Sequence, residues 1–161
     1  NAHTCRILNI ISVRILGDFM SLIIALKFFH YISLFLAGGL GVANGLLAKA
    51  HMQAEMPPAP PVQKTMMTLA RLGLVALIIL WITGVLLTNL IYGSFNLGWG
   101  FHLKLLGASV LLLVVAFLNF HLADSAKKGT PPNPKIMNVV PYIARSSLVA
   151  VLIGIAVVTT A

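Results

Sequence analysis

Apolar residues run along this chain in four long stretches, each separated from the next by a short polar or proline-rich interval. The stretches cover about 28–48, 69–92, 101–123 and 139–160. A helix needs about 20 apolar residues to cross the hydrocarbon core of a bilayer, so each stretch predicts one transmembrane helix. The intervals are equally telling. Met56-Pro57-Pro58-Ala59-Pro60-Pro61 predicts an extended linker of polyproline type, because proline lacks an N–H and clashes with the preceding turn. Gly129-Thr130-Pro131-Pro132-Asn133-Pro134 predicts the same between the third and fourth spans. Between the second and third, Gly93 to Gly100 forms a short uncharged turn, with Tyr92 and Trp99 suited to a headgroup boundary. The expected fold is all-α: an integral membrane four-helix bundle with both termini on one side.

Composition supports the same picture. Apolar residues make up 59% of the 161 and charged residues 9%, against roughly 25% charged in soluble domains. The charged groups are too few to wet a globular surface of this size, so lipid must cover it. The net charge of +8 does not indicate a nucleic-acid partner. The basic residues stand at the ends of apolar runs, where they anchor helices and set orientation. Cys5 is the only cysteine, which excludes an intrachain disulfide and a CxxC metal or haem-attachment motif.

Lys49, Lys64, Lys127, Lys128 and Lys135, with Arg71 nearby, flank the first and third loops, while Lys27 and Lys104 lie at the opposite ends. The positive-inside rule then places both proline-rich loops in the cytoplasm and both termini outside. A bacterial inner membrane fits this asymmetry. Residues 1–19 contain no methionine, and Met20 directly precedes the membrane-entry sequence Ser21 to Lys27. They are read either as upstream sequence ahead of a start at Met20 or as an extra N-terminal helix. The four-span domain is assigned to 20–161.

Ionisable groups inside a bilayer are costly unless paired, hydrated or bound to a ligand, which directs attention to the histidines. His30 opens the first span and His51 lies just past its end; His102 opens the third and His121 lies near its end. His30 and His51 are separated by about 31 Å of helix, and His102 and His121 by about 28 Å. Because the first and third spans run in the same direction, His30 and His102 are expected to share one layer, and His51 and His121 the other. Imidazoles offered from two helices at matched depth are how a bundle holds a haem iron from both sides. The alternative use of a histidine at a helix end is as an interfacial anchor, a role open above all to His51 and His121.

Lys104 follows His102 by two positions, so the two side chains leave the helix on roughly opposite sides. One faces the bundle and the other lipid or the interface. No acidic residue falls within any span, which argues against a carboxylate-based ion pump. An interior Lys104 would then have a ligand carboxylate, such as a porphyrin propionate, as its natural partner. Gly38, Gly39, Gly41 and Gly45 predict close helix approach on the first span, and Asn44, Asn89 and Asn119 predict hydrogen bonds between helices. The methionines show no MxxM cluster beside a histidine. Nothing resembles a Ser-His-Asp triad, a phosphate loop or a zinc site.

Leu26-Lys27-Phe28-Phe29-His30 through Ala50-His51 resembles the first span of the HemJ-type protoporphyrinogen oxidases. Gly100-Phe101-His102-Leu103-Lys104-Leu105 is similar to the His-x-Lys signature of that family's third span. Asn138-Val139-Val140-Pro141 resembles the opening of its fourth, with Val139 where the family has an acidic residue. The similarity touches all four spans in order. Lys104 through Leu118-Asn119 is also similar to the CopD-like membrane domain.

The first resemblance implies a haem-b enzyme that takes electrons and protons from protoporphyrinogen IX and passes the electrons to a quinone or a redox partner. His30 and His102 would be the iron ligands, and His102 and Lys104 the catalytic pair. His30, His51, His102, Lys104 and Asn138 would bind the cofactor. A four-span module handling haem, electrons or copper without porphyrin oxidation stands beside it. So does a cofactor-free membrane subunit or homo-oligomer.

Overall fold

In a computed structural model, the chain forms four α-helices: α1 (Ala2–Gln53), α2 (Pro60–Tyr92), α3 (Trp99–Lys128) and α4 (Pro134–Thr160). The structure describes residues 2–54, 59–95, 97–128 and 133–160, without the side chains of residues 2–13, 15, 52, 134, 137, 138, 159 and 160. Each helix contains a segment long and apolar enough to cross a membrane: Leu16–His51, Pro60–Tyr92, Trp99–Lys128 and Val139–Val158. The protein is therefore a multi-pass membrane protein built as an all-α four-helix bundle.

The surface shows what surrounds it. Phe35, Phe120 and Tyr142 are each more than 70% exposed. Among the described residues the buried apolar side chains are Ala76, Leu77, Phe101 and Val140. Large aromatic rings turned outward over the length of the helices suit hydrocarbon as the covering solvent, not water.

The helices extend beyond the expected spans, most of all α1 at its N-terminal end, and three of the prolines in the expected linkers fall inside helices. Pro60 and Pro61 are not linker but the first residues of α2. Proline is tolerated at the first helical positions because the N–H it lacks would have no partner there, and its φ is already helical. Pro134 opens α4 in the same way. Pro57, Pro58, Pro131 and Pro132, the rest of the expected linkers, lie outside the described residues. α2 ends at Gly93, which adopts a left-handed conformation (φ 65°) and gives its N–H to the Asn89 carbonyl at 3.0 Å. α1 is helical from Ala2, so the backbone of residues 2–19 runs into the first span as one helix.

The bundle consists of two hairpins. α1 packs along α2 and α3 along α4, whereas α2 and α3 meet over a much smaller contact. Among the described residues no close backbone approach joins α1 to α3 or α4. Both hairpins are antiparallel: Leu40 faces Gly73 while His30 faces Gly84, and Gly100 faces Val157 while Gly107 faces Ser147.

The tightest packing lies between α3 and α4. A Cβ at Gly154 would stand 2.7 Å from the Gly100 carbonyl oxygen and from the Lys104 backbone nitrogen; one at Gly107 would stand 2.9 Å from the Ser147 carbonyl oxygen. Without a hydrophobic drive between helices in lipid, association depends on van der Waals contact, which small residues bring close. The glycines of α1 do not serve this purpose within the chain. Around Gly38, Gly39, Gly41 and Gly45 there is nothing within 4 Å of an added Cβ, because α2 lies against another face of α1. Nor do the asparagines bridge helices. Asn119 Nδ2 donates to the Val115 carbonyl of its own helix at 2.9 Å, and the buried Asn44 Oδ1 has no hydrogen-bond partner.

Candidate functional site

The end of the bundle nearest the α2–α3 turn gathers the polar groups with chemistry. His30 is half-buried on α1 and its Nδ1 lies 3.0 Å from Thr83 Oγ1 on α2. Thr83 is itself buried and donates its hydroxyl hydrogen to the Ile79 carbonyl at 2.7 Å, with the Leu80 carbonyl at 3.2 Å. The next residue, Gly84, gives the imidazole its space: an added Cβ would come within 3.3 Å of His30 Cε1. Thr83 and Gly84 thus form a seat for the ring, one by hydrogen bonding and the other by lacking a side chain.

Lys104 enters from the second hairpin. It is half-buried, with its Cβ and backbone against Gly154 of α4. Among the described residues no acidic side chain pairs with it; the single ion pair is Lys128 with Asp124, at 2.7 Å. His102, two positions earlier, is exposed and rests edge-on against Phe101, ring centroids 5.9 Å apart. Of the two opposed side chains expected from the spacing, Lys104 is the one turned inward.

His30 and His102 stand at different distances along their helices from the α2–α3 turn. Thr83, which marks the depth of His30, lies nine residues before the end of α2, or about 13 Å in. His102 lies three residues from the start of α3, or about 5 Å in. The difference arises because α1 continues N-terminally well past His30, so this residue lies within the span instead of opening it. Among the described residues no close backbone approach joins α1 to α3, and His102 is exposed while His30 is half-buried.

The other histidines sit at the opposite end. His51 Nδ1 donates to the Leu47 carbonyl of its own helix at 2.8 Å. His121 stacks on Phe117, with centroids 6.3 Å apart and planes 9° apart, and its Nε2 accepts the Asn133 N–H at 3.2 Å. His121 therefore links α3 to the entry of α4, while His51 satisfies a carbonyl near its helix end. The Asn138 side chain lies outside the described residues. The described residues contain no group of three or more His, Cys, Asp or Glu placed to hold a bare metal ion.

Sequence reasoning missed Thr83, Gly84 and the Trp81–Ser109 bridge, in which the indole Nε1–H donates to Ser109 Oγ at 3.2 Å and joins the two hairpins. The run Trp81-Ile82-Thr83-Gly84 carries two hydrogen-bonding side chains and a glycine deep in an apolar span, and that concentration is the signal that could have drawn attention to it. Comparison with protein-family models, curated proteins and solved structures finds no match to this chain.

Proposed function

We propose that this chain is a haem-b-binding membrane oxidoreductase of the kind its resemblance to the HemJ-type protoporphyrinogen oxidases implies, with His30 as an iron ligand and Lys104 as partner of a carboxylate. The observation that carries the reading is the seating of His30. Thr83 Oγ1, whose hydrogen goes to a backbone carbonyl, is placed to accept from His30 Nδ1–H, and with the proton on Nδ1 the Nε2 lone pair would be the one offered to iron. A ligating histidine is characteristically oriented in this way by a hydrogen bond to its second nitrogen.

The residues present would offer a haem one iron ligand, His30, and one cation, Lys104, for an anionic substituent. Lys104 is half-buried, and among the described residues no acidic side chain pairs with it. A propionate of the cofactor, or of a porphyrinogen substrate, has the charge and length to do so. Bound haem supplies one-electron chemistry between ferric and ferrous iron. The protein's share is to fix the ring at Nδ1, exclude water with the surrounding apolar helices and hold the carboxylate at Lys104. The resemblance implies a quinone or a redox partner in the bilayer as the electron acceptor. A bacterial inner membrane, with both proline-rich loops cytoplasmic, completes the proposal and rests on the distribution of lysines.

The exposure of His102 favours a second reading, a four-span module that binds haem or transfers electrons without oxidising porphyrinogen, since the resemblance assigns His102 to catalysis. The first test is an absorption spectrum of detergent-purified protein, oxidised and then dithionite-reduced. A Soret band with sharp α and β bands on reduction is expected, lost in His30→Ala and retained in His102→Ala. A flat spectrum from protein produced with ample haem overturns the haem reading. Oxidation of protoporphyrinogen by haem-loaded protein then separates the enzyme from the module.

A further inference from the structure

A groove of about 430 Å³ runs between α3 and α4 at the end of the bundle opposite His30. It is lined by Leu113 and Phe117 of α3 and by Lys135, Ile136, Val139 and Ile143 of α4. Its chemistry is graded along its length. Lys135 lies just before the Val139–Val158 span and is exposed, whereas the groove below it is apolar. From Lys135 to Ile143 the α4 backbone rises about 12 Å, so the groove descends from headgroup level into the hydrocarbon region. Its walls are open to the bilayer: Leu113 is 68% exposed.

We propose that this groove binds an anionic phospholipid, with one acyl chain along Phe117, Val139 and Ile143 and the phosphate on Lys135. Charge complementarity selects this occupant. Asp124 is engaged by Lys128, and among the described residues no acidic group pairs with Lys135. An apolar groove open to the bilayer, with a lysine among its lining residues at the interfacial end, matches a lipid with an anionic headgroup better than an apolar helix of another protein. Basic residues at the membrane surface attract anionic headgroups by the same physics. The site is separate from the His30 seat and does not depend on haem.

Native mass spectrometry of the whole detergent-solubilised protein, titrated in parallel with phosphatidylglycerol and phosphatidylcholine, tests this directly. Wild-type protein is expected to retain phosphatidylglycerol about fivefold better, the effect of one lysine at a headgroup. Lys135→Gln is expected to bring the two lipids to parity, while Lys64→Gln, on α2, keeps the preference. Leu113→Trp, which fills the groove, is expected to lower retention of phosphatidylglycerol with the protein still folded by its melting temperature. Equal retention by wild type, or a preference that survives Lys135→Gln, overturns the proposal. So does a dimer that Leu113→Trp abolishes in the absence of any lipid preference, which assigns the groove to a second copy of the chain.

Discussion

His30 and Thr83 are joined across α1 and α2 by a 3.0 Å contact between Nδ1 and Oγ1, and the direction of this bond assigns the tautomer of the histidine. The threonine hydrogen is already given to the Ile79 carbonyl at 2.7 Å, so its oxygen accepts and Nδ1 carries the proton. A backbone carbonyl on α2 thereby determines which nitrogen of a residue on α1 presents a lone pair. Thr83→Val keeps the shape of the side chain and removes the acceptor. It is expected to lower stability by ~1 kcal/mol, read as a lower melting temperature in detergent. Under the haem reading it also lowers haem retention by about 10–100-fold, measured from the Soret absorbance. Thr83→Ser keeps the acceptor and is expected to behave nearly as wild type on both counts.

Substitution of glycine has opposite consequences in α1 and α4. Gly154→Leu drives its Cβ into the Gly100 carbonyl and the Lys104 backbone, both 2.7 Å away and neither able to rotate aside. Overpacking of this sort costs about 1–3 kcal/mol or more, so the variant is expected to separate α3 from α4 and melt early. Gly41→Leu meets open space and is expected to change stability by no more than about 0.5 kcal/mol. Equal losses in the two variants would show that the α1 face is packed in the membrane after all.

Trp81 and Ser109 supply the polar link over the thin contact between the hairpins. Hydrogen bonds between membrane helices average about 0.6 kcal/mol and reach about 1.7. Trp81→Phe and Ser109→Ala are each expected to cost that order of free energy. Their double variant is expected to cost little more than either alone. A double-mutant cycle in detergent measures the coupling; strict additivity would mean that the bond contributes nothing.

The prolines separate by position as well. Pro141 lies inside α4, where it removes a backbone hydrogen bond and crowds the carbonyl four residues earlier. Pro141→Ala is expected to raise stability, by up to ~3 kcal/mol if no neighbouring group has compensated. Pro60→Ala, at the first turn of α2, is expected to stay within about 0.5 kcal/mol of wild type. Calorimetry of the two variants side by side checks both values.

The four membrane crossings were legible in the amino-acid order, because in lipid the helix is the conformation that satisfies every backbone N–H and C=O within a single apolar segment. Length and hydropathy suffice for that inference, and the short turn at Gly93 marks a boundary where only a residue without a Cβ adopts positive φ easily. The inward turn of one member of the His102–Lys104 pair was also readable, from a two-residue offset at 100° per residue. Which member turns inward was not.

That choice depends on where Gly154 of α4 meets α3, a contact between positions 50 residues apart that no local pattern encodes. The same holds for His30. Its type and location in an apolar run made it a candidate, but its depth and its Thr83 partner follow from the antiparallel register of α1 on α2. Sequence alone determined that this protein has four membrane-spanning helices and a handful of polar groups that hydrocarbon would otherwise penalise. Tertiary structure decided which of those groups meet, because helices without a hydrophobic drive between them choose their neighbours by close steric fit, and that fit belongs to pairs of surfaces and not to either surface alone.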